Sequence, residues 1–455
     1  MRSVNLRLIR ATVSVTVGLS GWVGLPHEVW GADAPTTQGS APTTRPVTAK
    51  PLSGQVKKGL DWLAKHQQPD GGWSQGERSM DQYRQGEVGD KSNVADTCMA
   101  ALALMRAGST PSDGPYAANV MAALNFICGQ VEKAPAEGLL ITDINGTRVQ
   151  TKLGQYIDTF AAALFLAQLK PVTPDPAVHK RVMAALDKTM DKIEKNQKQD
   201  GRWVEAHDGW ASTLCQSVAT KAVNVAAQNG ATVSPEVVER ARSFAAKNFD
   251  DKTAAVSGEG SPNVELYSRA SNLAGFQDSA NTYARNKAEL DKRAEGAKEQ
   301  IAAAQQTLKA ATTQPSAYKP EQLAQAQQTI AAGGTVLRDV FDRKAVVAAN
   351  TKSLEQAQSA VVERMNDKQF VAGFGSNGGE EFLSYMNIGE SLVLKGGDEF
   401  TKWDQSMTEN LNRVQNEDGS WTGDHCITGR TFCTAAALMT LTVDRSAPQA
   451  PKADK

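Results

Sequence analysis

The sequence predicts an all-α protein, an (α/α)6 toroid of six helix pairs with an inserted antiparallel helical hairpin. Three observations lead there. The phrase Q-x-x-D-G-x-W occurs three times without gaps, beginning at Gln67, Gln197 and Gln415 and ending at Trp73, Trp203 and Trp421. Each copy follows an amphipathic helical pattern and precedes a small-residue apolar helix, over 94–107, 211–227 and 431–442. Alanine is abundant and period-two runs of Val, Ile or Tyr are scarce, which suits packed helices rather than sheets.

Each part of the phrase has a physical task. The glycine of Asp-Gly accepts positive φ and so ends the preceding helix, and the tryptophan offers a large apolar body to the neighbouring unit. Degenerate copies fill the gaps. Residues 119–131 with 156–169 make a second pair without the tryptophan. Ser234-Pro235 opens a helix answered by 264–276, and 353–365 is answered by 381–395. The pairs span 55–108, 116–170, 177–230, 234–280, 353–396 and 398–443. Units that cannot bury a face alone must stack or close. Six suits a closed ring, with an open solenoid as the alternative.

Ends and insertion differ in composition. Arg2, Arg7 and Arg10 precede the apolar run 11–24, with Val29, Gly31 and Ala32 offering a cleavage point, so 1–31 reads as a secretory signal peptide and the mature chain as exported. An uncleaved amphipathic start is the alternative. Residues 32–52 and 446–455 read as disordered linker and tail. The toroid is expected over 53–280 and 353–445, interrupted by 281–352. In that interruption Tyr283, Leu290, Ala297 and Ala304 stand seven apart, as do Leu323, Ile330 and Leu337, then Val340, Val347, Leu354 and Val361. This is the spacing of a coiled-coil-like hairpin, either a solvated spacer or a partner-binding arm.

Composition also bounds the partners. With 49 Lys and Arg against 50 Asp and Glu, the chain has no electrostatic footprint for nucleic acid, and no stretch of the mature chain is a spanning helix. The expected partner is a protein or a small-molecule ligand of unknown identity. Five cysteines are too few and scattered for a disulfide framework.

The first unit extends the pattern to Lys58-Gly59-x-x-Trp62-Leu63-x-x-x-Gln67 before Gly71 and Trp73. It resembles the QW repeat of squalene and hopene cyclases, in the superfamily that includes prenyltransferase β-subunits, and the resemblance implies the α/α toroid. Cyclases of that kind protonate their substrate with D-x-D-D-T-A. Here residues 93–98 read Asn-Val-Ala-Asp-Thr-Cys, with Ala95 where the acid would stand, so the resemblance does not extend to cyclase chemistry. Prenyltransferases hold zinc with D-x-C and a later histidine. Asp96 and Cys98 fit the first, and His425 the second, with Cys426 a further ligand or a disulfide partner of Cys98. Zinc is therefore the cofactor this resemblance implies, at the seam of the first and last units. Asp96 has an equally good reading as a capping acid three residues after Asn93.

Two Gly-rich loops carry the other candidates. Residues 373–381 end in Glu380 and Glu381, and 423–430 contain Asp424, His425, Cys426 and Arg430. Both are expected on one rim. Asp96, Glu380, Glu381, Asp424 and Arg430 form a candidate acid–base or binding set there. Three function classes remain: a binding or scaffolding module without cyclase activity, a zinc-dependent enzyme at the seam, and a terpenoid- or polysaccharide-acting enzyme using a carboxylic acid in the ring cavity.

Overall fold

The computed structural model describes residues 47–76 and 91–446. The signal peptide, most of the linker and nearly all of the tail fall outside the described residues. The chain is mostly helical, as expected, and a two-residue hairpin of β1 (Phe249–Asp250) with β2 (Ala255–Val256) is the strand pairing among the described elements.

The helices are α1 (Gly54–Lys65), α2 (Val94–Arg106), α3 (Ala117–Lys133), α4 (Arg148–Leu153), α5 (Ile157–Leu169), α6 (Pro176–Lys195) and α7 (Ser212–Gln228). They continue as α8 (Pro235–Lys247), α9 (Glu265–Thr313), α10 (Pro320–Arg364), α11 (Lys368–Val371), α12 (Gly379–Lys395), α13 (Gly397–Arg413) and α14 (Arg430–Leu441). Two kinds alternate. Helices such as α1 bury one face only, through Val56, Leu60, Trp62 and Leu63. Helices such as α5, from Ile157 to Leu169, are buried on every side except at Gln168, as their small apolar sequence requires. The second kind packs in a cycle: α2 on α5, α5 on α7, α7 on α9, α9 on α12, α12 on α14, and α14 back on α2. That neighbour order is what the toroid expectation requires.

The repeated phrase links each unit to the next. The Gln67 side-chain amide donates to Gly71 O at 2.8 Å and to Asn119 O of α3 at 2.9 Å. Gln197 does the same to Gly201 O and to Val237 O of α8. Gln415 bonds Gly419 O at 2.8 Å and Gln55 O of α1 at 2.9 Å, so the last copy fastens the end of the chain to its beginning. Trp73, Trp203 and Trp421 are buried and donate their indole N–H to Leu63, Ile193 and Leu411, each at 2.8 Å. The glycine is needed twice over. Gly201 has φ 96°, and a Cβ there would lie 2.0 Å from Arg240 O of the neighbouring helix.

The hairpin departs from the expected boundaries. With no proline between Phe276 and Thr312, α9 runs unbroken from ring to tip and α10 returns as unit five's outer helix. Each is about 70 Å long at 1.5 Å per residue. Of the expected rows, Ala297, Ala304 and Val340 are buried, and the rest of the seam differs. Ala297, Ala304, Ala311, Ala326, Gly333 and Val340 are buried in it, while Leu290, Ile301, Leu323, Ile330 and Leu337 are half-buried on its flanks. Small residues let the backbones approach: a Cβ on Gly333 would stand 2.6 Å from Ile301.

The middle of the cycle is crossed by charge. Lys221 of α7 donates to Asp278 of α9 at 3.0 Å and to Glu390 of α12 at 2.6 Å. Arg106 of α2 binds the other Glu390 oxygen and donates to Met439 O of α14 at 3.0 Å. Helices α2 and α12, like α7 and α12, stand two places apart in the cycle, so these side chains bridge elements that are not ring neighbours. Burial alone would raise the Glu390 carboxyl, but Lys221 and Arg106 outweigh it and hold it at about 2. Asn387 to Ser217 at 3.2 Å and Ser391 to Gln277 at 3.0 Å add neutral bonds among α7, α9 and α12.

Candidate functional site

The two Gly-rich loops meet. Asp424 N donates to Asn377 O at 2.7 Å and Gly379 N to Ile427 O at 2.9 Å, which laces the loop before α12 to the loop before α14. Wrapped inside are Glu380 and Glu381, both fully buried in the first turn of α12. Glycine is required where the loop crosses the carboxylate. Gly373 has φ 59°, and its Cβ would lie 2.4 Å from Glu381 Oε1.

Glu381 is held on several sides. Its Oε1 accepts from the Tyr267 hydroxyl of α9 and from Phe374 N at 3.0 Å, and its Oε2 lies 3.6 Å from His425 Nε2. Burial raises its pKa, against the Tyr267 bond and the nearby His425. Burial, then the charges of Glu381 and Glu380, push the Tyr267 phenol up, so Tyr267 serves as a donor. Glu380 accepts from Ile427 N at 3.1 Å through Oε2, while Oε1 has no hydrogen-bond partner among the described residues. Burial first, and Glu381 second, lift Glu380 to about 8, so this group carries a proton at neutral pH. His425 Nε2 lies 3.0 Å from Ser376 O.

Cys426 adopts φ 55°, unusual for a residue with a side chain, and its carbonyl accepts from Arg148 of α4 at 2.5 Å. Burial and the Glu380 charge push its thiol up to about 11, so it is a neutral thiol rather than a resting nucleophile. Outward, the cluster ends in aromatic rings. His425 meets Phe374 edge-on at 5.3 Å, Phe374 meets Trp210 at 5.6 Å, and Lys152 Nζ sits 5.3 Å over the Trp210 ring. Phe374 and Trp210 are 51% and 39% exposed, which makes them the accessible face of an otherwise buried acid cluster.

Glu380, Glu381, His425 and Cys426 thus come together, and the other sequence candidates do not join them. Asp96 sits at the start of α2, its amide bonded to Asn93 Oδ1 at 3.0 Å and its carboxylate to Asn93 Nδ2 at 2.7 Å. Cys98 is fully buried in the core, raised by burial and by Asp158. Asp158 receives Ala95 N at 2.8 Å, so a carboxylate of α5 satisfies the first turn of α2. Asp424 is exposed, and Arg430 pairs with Asp418 of the third repeat at 2.8 Å. All five cysteines are unbridged, Cys98 and Cys426 included. Among the described residues no group of three or more His, Cys, Asp or Glu side chains is placed to hold a metal ion. Asp96 and Cys98 lie on α2, and His425 and Cys426 in the loop before α14.

Tyr267, Arg148, Phe374, Trp210 and Lys152 belong to the site and were not singled out in the sequence. Tyr267 and Arg148 lie 114 and 278 residues from the groups they touch, so no local pattern marks them. Trp210 did carry a signal, as a tryptophan outside the repeated phrase on a Gly-containing loop.

A model of the squalene-hopene cyclase C-terminal domain matches residues 43–121, the stretch that contains the first repeat with α1 and α2. The match supports the resemblance to the terpene cyclase and prenyltransferase superfamily. No curated protein matches the chain.

Proposed function

We propose that this chain, cyclase-like in its first unit, is an exported binding module without cyclase activity whose recognition surface is the rim around the α12 N-terminus. Export rests on the N-terminal pattern of three arginines, an apolar run and small residues. No helix among the described residues is long and apolar enough to cross a membrane. The observation that carries the binding reading is the charged bridge of Arg106, Glu390, Lys221 and Asp278. A catalyst that folds a polyprene needs an apolar chamber of its substrate's size. Here the middle of the helix cycle is taken up by ion pairs, and exposed aromatic rings lie instead at the rim.

One observation favours a second reading. Glu380 keeps its proton to about pH 8 beside Glu381 and His425, as a general acid must. On that reading the rim is the active site of a carboxylic-acid-dependent enzyme.

The test is to incubate the mature chain with squalene and with oxidosqualene and analyse the extracts by gas chromatography and mass spectrometry. The binding reading expects unchanged substrate. Any cyclic triterpene formed by the wild type and lost in Glu380→Gln would replace it with the acid-catalysis reading.

A further inference from the structure

On the hairpin, α10 carries two sets of residues spaced by seven, on different sides. One, with Ala326, Gly333 and Val340, is buried against α9. The other is exposed: Ala331, Arg338 and Ala345 stand seven apart, as do Gly334, Phe341 and Ala348. At 3.6 residues per turn these six fall within roughly 100° of arc, turned away from the buried row. Phe341 is 71% exposed, more than any other large hydrophobic side chain among the described residues, and a Cβ on Gly334 would meet nothing within 4 Å. Such spacing on an uncovered face is the pattern of half a helix–helix seam.

The charges on the arm decide what covers it. Asp339 pairs with Arg293 at 3.1 Å and with Arg343 at 3.0 Å, and Lys344 pairs with Asp291 at 2.6 Å. Arg338 and Asp342, one turn apart on the exposed side, make no ion pair or hydrogen bond among the described residues. The face therefore holds an unmatched cation and an unmatched anion around a bare aromatic ring. An acidic or a basic partner would satisfy one of the two, and a lipid surface would have to bury both beside Phe341. A second copy of α10 satisfies them together. With the two helices antiparallel about a two-fold axis between Arg338 and Phe341, Arg338 of each copy meets Phe341 and Asp342 of the other. A guanidinium there lies over the ring and reaches the carboxylate from one position. The same register sets Gly334 opposite Ala345 and Ala331 opposite Ala348, small pairs that let the backbones come close.

We propose that α10 is the surface on which two copies of this chain pair, antiparallel through 331–348, with Arg338 of each against Phe341 and Asp342 of the other. The contact is on the arm, so it stands or falls separately from recognition at the α12 rim. At about 27 Å of helix it is a small interface, which makes the association weak and reversible.

Sedimentation equilibrium of the mature chain from about 1 to 200 µM tests it. The expected result is a reversible monomer–dimer equilibrium with Kd on the order of 10 µM. Phe341→Ala should weaken it about tenfold or more with the circular dichroism unchanged, because the ring is exposed in the single chain. Arg338→Asp should weaken it as much, by setting carboxylates against each other across the axis, and adding Asp342→Arg should restore the dimer. A chain still monomeric at about 200 µM would overturn the proposal and leave the face to a different protein. A dimer that Phe341→Ala leaves intact, or one that the double exchange fails to restore, would overturn it equally.

Discussion

Glu380 holds its proton to about pH 8 because desolvation and Glu381 both oppose its charge, and the resulting pH dependence has a definite sign. An acid whose folded pKa is raised binds more protons in the fold than in the unfolded chain. Stability therefore falls as pH rises from the ordinary 4.5 toward 8, and is level above. Asp158 and Asp278, each lifted by burial to about 6, add to the lower part of that fall. Glu390 works the other way: its contribution is complete above 4.5 and is lost as pH drops toward 2. On these groups stability should fall from about pH 5 through neutrality. Glu380→Gln keeps the shape and removes the charge. It should leave the unfolding free energy at pH 5 nearly unchanged and raise it at pH 8 by on the order of 2–4 kcal/mol, with a matching rise in unfolding temperature. Scanning calorimetry at the two pH values measures this, and an equal effect at both would show that Glu380 is not the titrating group. The glutamates themselves were legible, since a doubled acid after a Gly-rich loop is a visible pattern. Their raised pKa values were not, because these follow from burial beneath loops and helices that arrive from other units.

At the scale of single elements, the repeated phrase was read well because the contacts that shape its turn are local. The tryptophan bonds a carbonyl ten residues back, and the aspartate bonds an amide two residues on. The contact that links each unit to the next is glutamine to the following outer helix. Trp421→Ala should cost about 3–5 kcal/mol in denaturant unfolding, the loss of a fully buried aromatic at the joint between last and first units. A cost below about 1 kcal/mol would mean that joint is not packed. The hairpin was legible as a heptad pattern, and its seam in part. Ala297, Ala304 and Val340 of the expected rows are buried, whereas Leu290, Leu323, Ile330 and Leu337 lie on the flanks because Ala and Gly at neighbouring positions allow a closer approach. Its base belongs to the ring, where Asn350 bonds Phe276 O at 3.0 Å and Tyr283 bonds Glu239 at 2.8 Å. Replacing 287–346 with a short Gly-Ser bridge spares both contacts. Thermal unfolding of the shortened chain should remain a single cooperative transition near the parent temperature. A broad or absent transition would make the arm part of the folding core.

For the whole molecule, closure follows from using one device three times, with the third copy reaching from Gln415 and Gly419 to Gln55 and Lys58. Six units and three full phrases made that legible from sequence. What fills the middle was half legible. Lys221 is the single charged residue of α7, an anomaly in a helix otherwise buried and uncharged, but nothing near it in sequence names Asp278 or Glu390 as its partners. The functional account turns on this bridge, since ion pairs across the middle leave recognition to the rim. The unfolding free energy of Glu390→Gln at neutral pH tests it most directly. With Lys221 and Arg106 left as buried, unmatched charges, the account predicts a loss of about 3–5 kcal/mol. A loss below about 1 kcal/mol, the usual value for a solvated ion pair, would mean that these side chains line an open, water-filled chamber, and the rim would lose its claim as the recognition surface.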